Sequence, residues 1–501
     1  MPLPDWVGPV VEEVRRSRPG PYTLATGVSP SGPIHIGNLR EVLIADSVAR
    51  GLRERGERAR LIYIADSYDP LRKVYPFLPP SFEAHIGKPL SEIPDPEGCC
   101  PSYAEHFLRG LDVLEDLEVR EGFDEQGRPS ARTVLPLRSD RLYKEGRYSS
   151  AVRTALDRRG DLARIIREVS TREVPEGWSP FMPICGGCGR LDRTTVTGHD
   201  ATHADYRCGC GHSGRAPYAG GGKLGWRVDW PARWKLLGVS VEPFGKDIGA
   251  AGGSHDTGVR IAREIFGSEP PFPIYFEHIL LKGDSGGKLS KSAGRTLTAR
   301  ELLDLMSPAA LRALLTRTAP RKSIRFDPGI ELMRDLDDPS FLALLGPDPA
   351  RVPFGHMATL VQLAPDSAAL RRALARSGFG SVDPQAAEAQ ARRARNWLER
   401  WAPAEVKFSL QPALPAAAQG LGPGERRALA LLAGRLGALS GPEALHNGVY
   451  TVAGEAGVPP QAVFRAVYRA FLGKESGPRA GWFLSSLDPA FVRKRLEEAS
   501  R

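Results

Sequence analysis

Residues 22–66, YTLATGVSPSGPIHIGNLREVLIADSVARGLRERGERARLIYIAD, decide the fold class. YTLATG (residues 22–27) reads as a short strand, and SPSGPIHIGN (residues 29–38) supplies turn residues before a stretch with helical apolar spacing at residues 39–52. RLIYIAD (residues 60–66) is the continuous apolar run of a strand covered on both faces. Strand, glycine-rich turn, helix and strand in that order predict a parallel sheet with a right-handed crossover, the plan of a nucleotide-binding α/β domain. A helix opening after such a turn offers unpaired backbone N–H groups and a positive dipole end, both of which favour phosphate. His35 and Asn38 stand three apart where the helix begins, so the spacing puts an imidazole and an amide on one face, with Gly37 leaving room for a flat base. Donors so placed suit a phosphate whose charge grows in a transition state.

Further along, KLSKS (residues 288–292) lies among Gly283, Gly286, Gly287 and Gly294, a composition that predicts a loop. Lys288 and Lys291 then bring two ammonium groups to a triphosphate, with the hydroxyls of Ser290 and Ser292 as added donors. Strand-like stretches at residues 239–244 and 273–283 flank a glycine-opened helix near residues 253–266, so the sheet is expected to resume there and the catalytic domain to occupy residues 1–320. Residues 178–222 interrupt it with a Gly-, Cys- and Thr-rich module. Its Cys185-x-x-Cys188 and Cys208-x-Cys210 pairs, each cysteine followed by glycine, have the form of two zinc knuckles. Four thiolates leave no open position, so the expected Zn²⁺ is structural; His212 replacing one sulfur is the alternative ligand set. Cys99 and Cys100 are adjacent, lack nearby partners in sequence and are expected to be inert. Beyond residue 320 the patterns are helical, over residues 385–401, 424–436, 459–472 and 489–499.

Composition sets the frame around these motifs. A chain of 501 residues exceeds one hydrophobic core, and 41% hydrophobic with 25% charged residues is ordinary for a globular protein. No apolar run approaches the roughly 20 residues of a bilayer span, and the start has no basic segment followed by an apolar core, so a cytoplasmic protein is expected. A net charge of +9, from 68 Lys and Arg against 59 Asp and Glu, suits a polyanionic partner such as RNA. Six cysteines in so long a chain exclude a disulfide scaffold.

Taken in this order in one α/β domain, residues 35–38 and 288–292 resemble the two signatures of class I aminoacyl-tRNA synthetases. The sequence is most similar to class I lysyl-tRNA synthetase, through GVSPSGPIHIGNLREVL (27–43), GWRVDWPARW (225–234), EPFGKDIGAAGGSHDTG (242–258) and GPRAGWFL (477–484), nearly end to end. The resemblance implies an α/β Rossmann-type catalytic domain with a zinc-knuckle insertion, then, over residues 321–501, a helical stem and an all-α C-terminal α-helix cage that binds the anticodon. It implies ATP-dependent activation of lysine to lysyl-adenylate and transfer to tRNA(Lys), by a monomer, with Mg²⁺ on the phosphates and no covalent enzyme intermediate.

On this resemblance ATP meets Pro30, Ser31, Gly32, His35, Gly37, Asn38, Lys288, Ser290, Lys291 and Ser292, with His35, Asn38, Lys288 and Lys291 carrying catalysis. A lysine ammonium needs acceptors and its stem needs aromatic walls, for which Glu41, Trp226 and Asp229 are the candidates. Gly27 and Ser29 are expected near the amino-acid end, and Asp256 near ribose or phosphate-bound metal. Ile248 stands where the family carries a histidine lining the substrate pocket. That departure leaves open a lysine analogue, a relative with altered amino-acid or acceptor specificity, or a non-catalytic RNA-binding relative, and makes His255 a candidate replacement.

Overall fold

The structure, a computed structural model, describes residues 2–122, 130–170, 173–282 and 297–501. These form two compact units, one of residues 2–302 with 311–326 and the other of residues 303–310 with 327–501.

The first unit is built on a five-stranded sheet. β1 (Tyr22–Val28) and β2 (Ala59–Ala65) pair in parallel from Tyr22 opposite Ala59 to Val28 opposite Ala65, and β3 (Pro136–Arg138) lies outside β2. Five short strands follow in the cysteine-bearing module: β4 (Phe181–Pro183), β5 (Thr194–His199), β6 (His203–Cys208), β7 (Ser213–Pro217) and β8 (Gly222–Leu224). The chain then returns to the main sheet with β9 (Val241–Gly245) and β10 (Phe272–Phe276), giving the spatial order β10-β9-β1-β2-β3 with every pairing parallel. The strand order therefore reverses between β1 and β9, and open parallel sheets bind ligands beyond the carboxyl ends of the strands at such a reversal. The helix Ile36–Glu54 covers the sheet at this point with Leu39, Val42, Leu43 and Ile44 fully buried.

One sequence expectation is corrected here. Residues 273–283 are not one strand: β10 ends at Phe276, and β11 (Ile279–Leu281) pairs instead with β12 (Ile324–Phe326). The break has a cause, because the fully buried guanidinium of Arg40 takes the carbonyl oxygens of Glu277 at 2.6 Å and Lys322 at 2.7 Å and draws both segments onto the helix. Residues 70–112, which carried no sequence assignment, fold as short turns around their own core of Leu71, Leu78, Phe82, Leu90, Ile93, Tyr103 and Phe107.

Helices make up almost all of the second unit. Pro384–Arg400, Pro423–Arg435, Pro460–Leu472 and Pro489–Ser500 match the four expected from sequence. Gly441–Ala456 is a fifth long helix, and its valines 449 and 452 join Leu429, Leu432, Val463, Phe471 and Phe483 in the core.

Candidate active site

β1 delivers the chain to the reversal point, and the turn after it is held from both sides. The Ser31 amide donates to Ser29 O at 2.7 Å, and the Tyr103 hydroxyl donates to Ser31 O at 2.9 Å. Pro30 and Gly32 are buried while Ser31 is half-buried. His35 is the N-cap of the helix Ile36–Glu54, in extended conformation (φ −122°, ψ 170°). Its Nδ1 accepts from the Gly37 amide at 3.1 Å, and Asn38 Oδ1 accepts from the His35 amide at 3.2 Å, a capping box in which histidine replaces the usual serine. With Nδ1 accepting, the neutral ring carries its proton on Nε2 and presents a donor there. At Gly37 a Cβ would stand 2.9 Å from His35 Cε1, so the glycine makes way for the ring.

Lys288, Ser290, Lys291 and Ser292 lie outside the described residues, but the chain just after them is bonded to the first signature. The Ile36 amide donates to Leu297 O at 3.2 Å and the Ala299 amide to Ile34 O at 3.1 Å, with Thr298 bridged to His35.

Beside the turn, acidic groups outnumber basic ones. Glu41 Oε1 accepts from the Gly27 amide at 3.0 Å. Burial raises its pKa to about 8, opposed by that amide and assisted by the charges of Glu242 and Asp66. Glu242 is 7% exposed, and burial pushes it to about 7 although the indoles of Trp230 (3.1 Å) and Trp234 (2.5 Å) donate to it. Arg233 bridges Asp66 and Asp229, and Lys223 pairs with Asp69, which also accepts from Ser29 Oγ at 2.7 Å. Five carboxylates, Glu41, Asp66, Asp69, Asp229 and Glu242, thus share two cations, Arg233 and Lys223. Trp226 lies stacked on Trp230 at 5.3 Å and under the Arg233 guanidinium at 5.8 Å.

Such a site takes up protons when empty and favours a cation when full. Glu41 is mostly protonated at pH 7, so binding an ammonium there releases a proton. The KM for a cationic substrate is expected to fall by up to about tenfold per unit as pH rises from 6 towards 8, and to level off above. Steady-state kinetics across that range check it; a flat KM would mean that Glu41 does not meet the cation.

With this geometry in view, the sequence comparisons decide the family. The family described as tRNA synthetases class I (K) matches residues 4–342. The chain belongs to that family. Among its relatives, the lysine–tRNA ligase of Methanosarcina barkeri (strain Fusaro) is 43% identical, over 99% of this chain and 97% of the relative. That of Archaeoglobus fulgidus is 44% identical over 96% and 97%, and that of Thermoplasma volcanium 37% over 95% and 96%.

The class I synthetase fold explains where the remaining expected residues fall. Asp229 is fully buried with both oxygens engaged, Oδ1 by Arg233 at 2.8 Å and Oδ2 by the Tyr143 hydroxyl at 2.6 Å, so it positions Arg233 instead of presenting a free acceptor. Asp256 accepts from the Gly252 amide at 2.9 Å, clamping the glycine turn onto the helix Ser254–Glu264. Ile248 packs half-buried beside the Trp230, Phe244 and Ala262 core, and its carbonyl accepts from the His255 amide at 3.1 Å. His255 is enclosed by Trp230, Trp234, Phe244 and Tyr275, with its Nδ1 3.4 Å from the Tyr275 hydroxyl. Sequence reasoning missed Asp66, Asp69, Lys223, Arg233 and Glu242. For two of them a signal existed: Asp229 and Arg233 stand four apart on one helix, and tryptophans 226, 230 and 234 mark the buried stripe facing Glu242.

Cys185, Cys188, Cys208 and Cys210 bring their sulfurs within 4.8 Å of one another, with Cys185–Cys210 at 3.6 Å and Cys188–Cys208 at 3.7 Å. Thiolates about 2.3 Å from a tetrahedral zinc ion stand about 3.8 Å apart, so the residues fit the metal. Cys99 and Cys100 do have partners, contrary to the sequence reading. Asp95 and His106 converge on them, all four ligand atoms lie within 4.8 Å, and Arg109 donates to the Cys99 sulfur at 3.3 Å. His106 reaches the loop because the helix Tyr103–Leu108 turns back over Ile93, whose carbonyl accepts from the Tyr103 amide at 3.0 Å.

Proposed function

We propose that this chain is an ATP-dependent lysine–tRNA ligase. The lysine carboxylate attacks the α-phosphate of ATP, pyrophosphate leaves, and the lysyl group of the adenylate passes to a hydroxyl of the terminal adenosine of tRNA(Lys). The observation that carries the choice of lysine is the carboxylate excess around Glu41: an arriving ammonium supplies the positive charge that Arg233 and Lys223 leave wanting, and Trp226 offers a flat wall to an apolar stem. The lysine–tRNA ligases named above, matched over nearly their whole length, support the same reading.

In this reading the chemistry is positioning and charge stabilisation, with no side chain as nucleophile. His35 donates from Nε2 to the phosphates, and the first amides of the helix Ile36–Glu54 add their dipole. Lys288 and Lys291 are assigned to the same phosphates on chain reach: Leu297, bonded to Ile36, follows Ser292 by five residues, a stretch of about 18 Å at most. Mg²⁺ neutralises the phosphates when it accompanies ATP. A zinc ion on Cys185, Cys188, Cys208 and Cys210 cross-links the module of β4 to β8, and the set Asp95, Cys99, Cys100 and His106 suits the same ion. Residues 321–501 supply the anticodon-binding domain of a monomer working in the cytoplasm. No helix among the described residues is long and apolar enough to cross a membrane.

Amino-acid-dependent exchange of pyrophosphate into ATP, screened over the amino acids with tRNA present, tests the proposal. Lysine is expected to support exchange and charging above all others. Ile248→His is expected to change kcat/KM for lysine by less than about tenfold, because Ile248 contributes packing and a carbonyl that the substitution keeps. Exchange driven by a different amino acid and not by lysine would overturn the specificity.

A further inference from the structure

Three residues far apart in sequence, Ser29, Asp69 and Lys223, form one line of contacts from the cysteine-bearing module to the turn after β1. Lys223 lies on β8, where Gly222 lets the strand press against β4, since a Cβ there would strike the Met182 carbonyl. Lys223 is 1% exposed; its ammonium pairs with Asp69 Oδ1, and Asp69 Oδ2 accepts from the Ser29 hydroxyl at 2.7 Å. The Asp69 backbone is fixed as well, its amide donating to Asp66 O at 3.1 Å and its carbonyl accepting from the Leu90 amide at 2.9 Å. Burial works against both charges, but each holds the other: the Asp69 pKa lies below its ordinary value and that of Lys223 above it. Stability is a weak reason for such a pair, because apolar residues of the same volume serve a core as well.

The effect of the pair falls on Ser29. An ionised carboxylate only accepts, so the single Ser29 proton is committed to Asp69 and the oxygen lone pairs are left for a donor. Ser29 is half-buried, and no group among the described residues donates to its hydroxyl. Its place in the turn says which donor fits. Gly27 is tied to Glu41, the acceptor for the side-chain ammonium of lysine, and the residues assigned to the phosphates begin at Pro30. The lysine carboxylate has to meet the α-phosphate, so the α-carbon and its own ammonium fall between those two ends, at Ser29.

We propose that Asp69 and Lys223 are positioning residues for the amino acid: they hold the Ser29 hydroxyl with its lone pairs towards the substrate, where it accepts from the α-ammonium. The inference rests on the lysine-ligase reading above. It adds to that reading the two residues, one of them supplied by the cysteine-bearing module, that set the polarity around the α-ammonium.

Asp69→Asn tests it by reversing that polarity. Lys223 can only donate, so the new amide has to give it the oxygen and turn its NH2 to Ser29, which displaces the Ser29 proton towards the substrate. KM for lysine in pyrophosphate exchange, with tRNA present, is expected to rise about 10- to 100-fold while kcat stays within about threefold of native. Competitive inhibition by ε-aminocaproate, which is lysine without the α-ammonium, is expected to keep its native strength. Adding Lys223→Met frees the amide to turn its oxygen back to Ser29, and this double variant is expected to recover most of the native KM. In a Ser29→Ala background Asp69→Asn is expected to have little further effect. A double variant no better than Asp69→Asn, an equal loss in the Ser29→Ala background, or inhibition by ε-aminocaproate weakened alongside lysine would overturn the assignment. Should Asp69→Asn fail to fold, Lys223→Met carrying Asp69→Asn is compared with Lys223→Met carrying Asp69→Leu, which offers Ser29 no acceptor. The first is expected to have a KM lower by about tenfold or more, and equal values would sink the proposal. Absence of lysine-dependent exchange in the native chain would instead remove the ligase reading, and this inference with it.

Discussion

Glu41→Gln is expected to lower kcat/KM for lysine by about 30- to 4,000-fold, the range for removing one side of a desolvated charge pair at about 2–5 kcal/mol. Glutamine still offers an oxygen to the Gly27 amide, which lies 3.0 Å from Glu41 Oε1, so the turn after β1 keeps its anchor and the loss falls on the substrate. The pH profile separates this account from a general disturbance. In the native protein KM for lysine is expected to improve as Glu41 ionises towards pH 8, whereas the glutamine variant has no proton to lose and its KM is expected to vary far less. A variant with native KM and an unchanged pH profile would remove Glu41 from the binding site. The same group affects stability in the opposite sense. Its folded pKa, about 8, lies above its ordinary value of 4.5, so the folded state holds a proton that the unfolded chain has released. Its contribution is present below pH 4.5 and is lost as pH rises through 8.

Arg233→Leu is expected to destabilise the first unit by about 3–5 kcal/mol, because it strips the cation from a buried ion group without removing the anions. Arg233 is 2% exposed and bonds both Asp66 and Asp229, neither of which has solvent to fall back on. Denaturant unfolding at two pH values distinguishes lost charge balance from lost volume. Without the guanidinium the Asp66 carboxyl, already raised by burial and held down by Arg233, rises further, so protonation relieves it: the loss is expected to be clearly smaller at pH 5 than at pH 8. A deficit equal at both would point to packing alone.

How far the sequence reached depended on the range of the interactions involved. The unit from β1 to β2 was legible because its signals are local: a β-branched run, a Gly and Pro turn, an apolar helical stripe and a second apolar run lie within residues 22–66. The four cysteines were legible for the same reason, since knuckle spacing is a short-range property. The carboxylate cluster was not, because Asp66 meets Arg233 across 167 positions and Asp69 meets Lys223 across 154. No periodicity records a pairing of that separation. β3, only three residues long, carries too little pattern to announce a strand and exists because β2 offers it an edge. For Asp229 the sequence shows an acidic side chain near tryptophans, and the structure adds that its two oxygens engage Tyr143 and Arg233, partners 86 and 4 positions away.

The bonds around residues 283–296 have a mechanical implication. Upstream, the Lys282 amide is tied to Phe326 O at 2.9 Å beside β12; downstream, Leu297 and Ala299 are tied to Ile36 and Ile34. Both anchorages belong to one frame, riveted by Arg40. Loosening Arg40 would therefore free β11, β12 and the start of the helix Ile36–Glu54 together.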